Sequence, residues 1–87
     1  MTEAGTVTVL LRGELLVLGR ACGVLRRHNL PIRGFAVDSG GPPGLWRLSC
    51  VIDADAATLD GLVRQIGNVV GVQQATVTLT PRSEAIS

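Results

Sequence analysis

Two hydrophobic periods follow one another at the start of the chain. Apolar and polar residues alternate from Thr6 to Leu11, and this period of two predicts a half-buried β-strand. From Glu14 to His28 the apolar residues recur at intervals of three and four, which predicts an amphipathic helix. The apolar stripe of this helix consists of Leu15, Leu18, Cys22 and Leu25, flanked by Val17, Ala21 and Val24. The opposite side carries Arg20, Gly23 and Arg27.

A β-hairpin is predicted after the first helix. Pro31 is expected to end that helix, because the residue before a proline avoids helical geometry. Ile32 to Asp38 is predicted to be a second strand, and a leading proline, which has no N–H to donate, is typical of a strand at the edge of a sheet. The loop over 39–44 is rich in glycine and proline, and it joins this strand to a third one over Leu45 to Ile52.

A second helix and a fourth strand complete the pattern. Asp53 and Asp55 are both candidate N-caps for the helix, whose apolar residues again recur at intervals of three and four. These residues are Leu59, Leu62, Val63, Ile66, Val69 and Val70. Gly71 is predicted to break the helix, and the alternation from Val72 to Leu79 predicts the last strand.

The order of the elements, βαββαβ, determines the predicted fold class. With right-handed crossovers this order closes as an α+β ferredoxin-like sandwich, in which a four-stranded antiparallel sheet carries both helices on one face. The sequence predicts one domain over residues 6–80, followed by a loose C-terminal tail over 81–87. A chain of this length buries only about 60–65% of its unfolded surface, so we expect dimerisation or docking on a larger partner to complete the burial.

Charge and composition narrow the possible functions. The formal net charge is +1 and the only aromatic residues are Phe35 and Trp46, so the sequence indicates neither a nucleic-acid surface nor an anionic-membrane surface. No apolar run approaches the roughly 20 residues that span a bilayer, and the start of the sequence has no signal-peptide pattern. We therefore expect a cytoplasmic protein. Cys22 and Cys50 are isolated and are expected to be reduced core thiols.

The sequence carries no recognisable catalytic, metal or cofactor motif. It has no CxxC, HExxH or GxSxG pattern, and its GGPPG tract lies in a predicted hairpin rather than before a phosphate-binding helix. His28 is interpreted as a solvated cation at a helix C-terminus. Asp53, Asp55 and Asp60 cluster at a helix start, where capping explains them better than acid–base catalysis. We therefore predict a protein that is not an enzyme and that uses no cofactor and no metal.

Several segments of this pattern together resemble the ACT domain, and in particular the small regulatory subunit of acetolactate synthase (acetohydroxyacid synthase). They are Val7–Leu11, Leu18–Arg27, the turn Asn29–Ile32 leading into Phe35–Val37, and the spaced residues Leu59, Leu62, Gln65, Ile66, Val69 and Val72. The resemblance implies a non-catalytic subunit that binds and activates a large, thiamine-diphosphate-dependent catalytic subunit in branched-chain amino-acid biosynthesis. In many versions such subunits also confer feedback inhibition by valine.

The effector site that the resemblance implies is altered in this sequence. Such subunits carry a Pro-Gly pair that lets the effector carboxylate approach the helix N-terminus, and those positions fall on Leu15 and Leu16, next to Gly13 and Glu14. An asparagine expected before the second strand falls on Pro31, which has no side-chain donor. Glu14 would also repel the ligand carboxylate, by about 4 kcal/mol at about 4 Å near a protein surface. We predict a weak or absent valine site, with one leucine in the core and the other crowding the ligand.

The second strand is the dimer interface that the resemblance implies. ACT-type domains pair edge to edge through this strand, which here comprises Ile32, Arg33, Gly34, Phe35, Ala36 and Val37. The partners expected are therefore a second copy of the chain and the acetolactate synthase large subunit, with no nucleic acid and no membrane. The alternative is a free-standing ACT-type amino-acid-sensing domain that regulates a different enzyme.

Overall fold

Six elements follow one another in the order βαββαβ in the computed structural model, which describes residues 4–80. They are β1 (Ala4–Arg12), α1 (Leu15–His28), β2 (Ile32–Asp38), β3 (Leu45–Asp53), α2 (Ala56–Gly67) and β4 (Val72–Thr80). The order confirms the predicted ferredoxin-like fold class. The predicted tail over 81–87 lies outside the described residues.

The four strands form one antiparallel sheet in the order β2-β3-β1-β4. On the central strand β1, Val7 lies opposite Cys50 of β3 and Val77 of β4. The odd-numbered residues of β1 face the helices, and Val7, Val9 and Leu11 are fully buried there. Thr6, Thr8 and Leu10 face the other side of the sheet and are only half-buried. The alternation in the sequence therefore determined which face of the sheet carries the core.

Both helices pack on this one face. α2 lies over β4 and β1, whereas α1 packs against α2 and β1. The core cluster joins residues of the two central strands to residues of both helices. Its fully buried side chains are Val7, Val9, Leu11, Leu48, Cys50, Ile52, Leu59, Leu62 and Ile66. In the described part of the chain, no helix is long and apolar enough to cross a membrane.

The buried side of α1 differs from the predicted one. Its buried residues are Val17, Ala21, Val24 and Leu25, and the predicted stripe residue Leu15 is exposed. Two neighbouring stripes with helical spacing run along this helix, and its packing against the rest of the fold selects between them. Val17 packs directly over Gly71, where an added Cβ would lie 2.6 Å from its Cγ2 atom. The sequence pattern alone does not contain that contact.

The end of α2 differs from the expectation, whereas α1 ends at the predicted residue. α1 ends at His28 because Asn29 adopts a left-handed conformation with φ 52°, two residues before Pro31. α2 ends at Gly67, so Val69 and Val70 lie beyond the helix that was predicted to contain them. Gly71, with φ 99°, is the last residue of the turn before β4 and does not end α2. Local turn conformation, which short polar residues and glycine permit, decides these boundaries.

β2 lies at one edge of the sheet, as predicted. It packs mainly on β3 and has no second strand neighbour among the described residues. Its residues on the helix side of the sheet are nevertheless apolar, and Ile32, Phe35 and Val37 are 42, 53 and 40% exposed. The helix layer therefore leaves an apolar strip uncovered along this edge.

Candidate functional site

Three loops meet at the end of β1 where α1 begins. The Arg12 amide donates a 2.8 Å hydrogen bond to the Gly71 carbonyl, which ties β1 to the loop before β4. The Gly13 amide donates a 2.9 Å bond to the carbonyl of Gly44 in the β2–β3 hairpin. Main-chain hydrogen bonds alone therefore hold the backbone at the start of α1 on both sides.

Gly13 is required at this position by the indole ring of Trp46. An added Cβ would lie 2.8 Å from Nε1 of that ring, a separation that a real side chain does not tolerate. Trp46, the only tryptophan in the sequence, is half-buried against the core. It therefore packs against the candidate effector loop, and its fluorescence is an intrinsic reporter of that loop.

The first turn of α1 has no side-chain cap. Glu14 occupies the N-cap position with φ −136° and ψ 140°, but its side chain accepts no hydrogen bond from the helix. Its carboxylate lies instead 3.7 Å from the Arg12 guanidinium, with both side chains about half exposed. The helix dipole and the first amides of α1 therefore face a surface where an anion can approach, with Glu14 as a competing negative charge.

Leu15 and Leu16 are both exposed, at 77 and 62%. The expectation that one of them enters the core is wrong, because Val17 takes the core position at this end of the helix. Two adjacent exposed leucines beside an uncapped helix start make an apolar surface. Their side chains lie where the resemblance implies a small, open Pro-Gly pair.

Pro31 lies at the opposite end of the sheet from the other candidate site residues. Its carbonyl accepts a 3.0 Å hydrogen bond from the amide of Asp53, at the end of β3, whereas Arg12 pairs with Leu45, at the start of β3. A nine-residue strand separates these two points, about 26 Å at 3.3 Å per residue. A single copy of the chain therefore does not bring Pro31 to Gly13, Glu14, Leu15 and Leu16.

The other candidate residues make structural contacts. His28 is half-buried at the end of α1, and its Nε2 atom lies 3.0 Å from the Gln65 side-chain oxygen of α2. Asp55 caps α2 by accepting a 2.7 Å bond from the Thr58 amide, which selects it over Asp53 as the N-cap. Asp53 binds Arg33 at 3.2 Å.

Both cysteines are free thiols, and Cys50 lies in the core as predicted, whereas Cys22 is not among the core residues. Cys50 is buried and Cys22 is half-buried, and burial raises the pKa of both thiols. Neither thiol is therefore activated as a nucleophile at neutral pH. No group of three metal-ligating side chains comes together within residues 4–80.

One surface feature was not recognised from the sequence. An open groove of about 720 Å³ runs between α1 and the turn after α2, lined by Arg20, Gly23, Val24, Arg26, Arg27, Val69 and Val70. The signal for it was present as arginines on the polar side of α1. The sequence carried no signal for the two valines across the groove, because its pattern assigned both of them to α2.

The comparisons with solved structures identify the fold. The chain is similar to the ACT domain from GTP pyrophosphokinase of Chlorobium tepidum, with a TM-score of 0.77 and 14% identity over 90% of this chain and 100% of that chain. It is similar to the C-terminal domain of the MgtC protein from Mycobacterium tuberculosis, with a TM-score of 0.71 and 18% identity over 97% and 94% of the two chains.

An uncharacterised protein from Thermotoga maritima gives a TM-score of 0.72 and 15% identity, over 94% of this chain and 99% of that chain. The sequence matches no family model and no curated protein. At these identities the solved structures share the fold with this chain. The chain therefore has the ferredoxin-like fold of an ACT domain.

Proposed function

We propose that the chain is a non-catalytic regulatory subunit that binds and activates a thiamine-diphosphate-dependent acetolactate synthase large subunit, with a weak or absent valine site. The observation that carries the proposal is the open apolar surface of the β1-α1-β2 half. There, two leucines project from an uncapped helix start and an apolar edge strand lacks a cover. Surfaces of this kind are typical of protein–protein contacts. The resemblance over residues 6–80 supplies the identity of the partner.

The first contact proposed is between two copies of the chain through β2. An antiparallel β2–β2 pairing continues the sheet to eight strands and places Phe35 near the two-fold axis. It also covers the apolar residues that the helices of one copy leave exposed. The sheet edge then supplies main-chain hydrogen bonds and the side chains supply apolar burial.

Such a dimer also completes the effector site. In an antiparallel pair, the beginning of β2 in one copy lies next to the end of β2 in the other. Pro31 of the second copy is thereby carried toward the end of the sheet that holds Gly13, Glu14, Leu15 and Leu16. The assembled site has a proline where an asparagine would hold the ligand, and two leucines where a Pro-Gly pair would leave space. We infer that its role is in assembly more than in sensing.

The test is reconstitution with the acetolactate synthase large subunit of the same organism. Condensation of 2-oxo acids is measured with each subunit alone and with the two together, and an unrelated protein of ACT fold at the same concentration is the control. We expect no turnover by this chain alone, basal turnover by the large subunit, and a several-fold increase only when both are present. Turnover by this chain alone, or no binding and no activation, would overturn the proposal.

A second candidate is a free-standing ACT-type amino-acid-sensing domain that acts on another enzyme. The observation that favours it is the similarity to the ACT domain of a GTP pyrophosphokinase, an enzyme of a different kind. Saturable micromolar binding of an amino acid by the isolated chain, combined with no effect on the large subunit, would support this alternative.

A further inference from the structure

The groove between α1 and the turn after α2 is separate from the surface just described. Arg20 and Arg27 lie on one wall, and Val69 and Val70 lie on the other. The groove includes no residue of β2 and no residue of the first turn of α1. Pairing of two copies through β2 therefore uses none of the residues that line the groove.

Positive charge is concentrated in this groove, and no carboxylate within the described part of the chain balances it. Arg20, Arg26 and Arg27 make no ion pair within residues 4–80, whereas Arg12, Arg33 and Arg64 each pair with a carboxylate. α1 carries no acidic residue. The rest of the sequence has seven acidic residues and five arginines. The net charge of +1 is therefore the sum of a basic α1 helix and an otherwise acidic chain.

Helix stability explains only part of this arrangement. Arg26 and Arg27 lie in the last turn of α1, where cations interact favourably with the helix dipole. Arg20 lies in the middle of the helix, where that benefit is absent. Gly23 lies between Arg20 and Arg27, and nothing lies within 4 Å of the Cβ position it leaves empty. A helix-interior glycine is less favourable than alanine, and no contact among residues 4–80 requires it here.

We propose that this groove binds an acidic segment of the partner protein, with carboxylates against Arg20 and Arg27 and an apolar side chain against Val69 and Val70. The inference deepens the proposed function and rests on it for the identity of the partner. Arg20 and Arg27 are seven residues apart, about 10.5 Å along the helix axis. Two acids seven residues apart in a helix have the same separation of about 10.5 Å.

The apolar wall favours a protein segment over a nucleic acid. Val70 is 71% exposed and offers an apolar contact that a phosphate backbone does not use. Phe35 and Trp46, the only aromatic residues, are not among the residues that line the groove, so it has no surface on which bases stack. A protein segment that alternates acidic and apolar side chains matches both walls.

Two pairs of variants test the proposal with the acetolactate synthase large subunit as the ligand. Arg20→Gln combined with Arg27→Gln removes two groove charges, and Arg47→Gln combined with Arg64→Gln removes two charges elsewhere. Gly23→Leu fills the groove without changing charge, and Gly19→Leu makes the same change one turn away, also in open space. Both leucine substitutions raise helix propensity, so folding is retained.

The dissociation constants are measured by calorimetry at low and moderate salt. We expect about 10-fold to 30-fold weaker binding for the two groove variants and less than about twofold for the two controls. The groove arginine variant should also show a flatter salt dependence. Thermal unfolding distinguishes a role of Arg20 in binding from a role in stability. If Arg20 serves binding, Arg20→Gln alone should leave Tm unchanged. Equal affinities in the groove and control variants would overturn the inference while leaving the proposed function intact.

A second measurement tests the groove without the large subunit. It remains decisive if the large subunit does not bind, a result that would itself overturn the proposed function. A synthetic helical peptide with glutamates seven residues apart and valines between them is titrated into ¹⁵N-labelled protein, alongside its glutamine counterpart. We expect saturable shifts of the Gly23, Val69 and Val70 amides with the glutamate peptide only, lost in the groove variants. No saturable shift at millimolar peptide, or tighter binding of a single-stranded oligonucleotide to the same residues, would overturn the inference.

Discussion

The two βαβ halves of this molecule contain the same elements but differ in how well each covers its own helix start and edge strand. We call the β3-α2-β4 half closed and the β1-α1-β2 half open. In the β3-α2-β4 half, the Asp55 side chain caps α2 and the helix lies directly over β4. In the β1-α1-β2 half, Glu14 leaves the first turn of α1 uncapped and β2 has no comparable helix cover. The closed half therefore caps its helix and covers most of the apolar side of β4, although β4 is also an edge strand. The open half leaves both the start of α1 and the apolar side of β2 exposed, so we expect another chain to bind there.

The difference extends to the two edge strands. On the helix side of β4, Ala75 and Val77 are half-buried and pack against the core, and only Leu79 near its end is largely exposed. On the same side of β2, Ile32, Phe35 and Val37 are all exposed. Exposed apolar side chains on an edge strand promote pairing with another strand, so β2 is the edge that we expect to dimerise.

The largest expected effect is on that dimer. Phe35→Glu removes apolar area at the proposed two-fold axis and brings two like charges together, so we expect at least a 100-fold weaker dimer, on the order of 3 kcal/mol. The matched change on the other edge, Leu79→Glu, should leave the dimer intact. Sedimentation equilibrium at tens of micromolar makes the measurement. A monomeric wild type, or a dimer broken by Leu79→Glu instead, would contradict the assignment of the edge.

The next effect concerns the uncapped start of α1. Calorimetry should detect no saturable binding of valine, leucine or isoleucine tighter than about millimolar. Restoring the implied effector residues with Leu15→Pro, Leu16→Gly and Pro31→Asn should improve valine binding at least about tenfold, because hydrogen bonds to a charged ligand are regained. The emission of Trp46 should change on binding, since its ring contacts Gly13.

The variant with Leu15→Pro and Leu16→Gly but without Pro31→Asn is the control for that restoration. It opens the helix start without supplying the side-chain donor, so its affinity should lie between those of the wild type and the triple variant. Micromolar binding by the wild-type chain would show that the leucines do not block the site, and it would favour the sensing alternative.

The smallest effect compares the two helix caps. Asp55→Ala should lower Tm by roughly 4–8 °C at pH 7, since it removes an N-cap hydrogen bond, whereas Glu14→Ala should change Tm little. The hydrogen bonds from Thr58 lower the pKa of Asp55 below its usual value. Its stabilisation is therefore complete above the unfolded pKa and is lost as the pH falls through the folded pKa.

Thermal unfolding of the wild type and both variants across the acidic range makes this measurement. The difference between the wild type and Asp55→Ala should disappear at low pH, where the carboxyl is protonated in both the folded and the unfolded states. An equal loss of Tm in the two alanine variants at pH 7 would show that the starts of α1 and α2 do not differ in capping.

Much of the fold was predictable because strand alternation is a local property. The bounds of β2 were predicted correctly. The position of β2 at the sheet edge was also predictable, since Pro31 cannot donate to a neighbouring strand. The residues of the candidate site could be named from the sequence, but their arrangement could not. Pro31 and the other candidate residues lie at opposite ends of β3.

The sequence by itself determined the order of the elements, the sheet face that carries the core and the absence of recognisable catalytic motifs. These depend on side-chain polarity and spacing along a few neighbouring residues. Only the tertiary structure decided the rotation of α1, because Val17 packs on Gly71, more than fifty residues away in the sequence. The same is true of the arginine-lined groove. It exists because α2 ends early enough to place Val69 and Val70 opposite Arg20, a juxtaposition that no local pattern encodes.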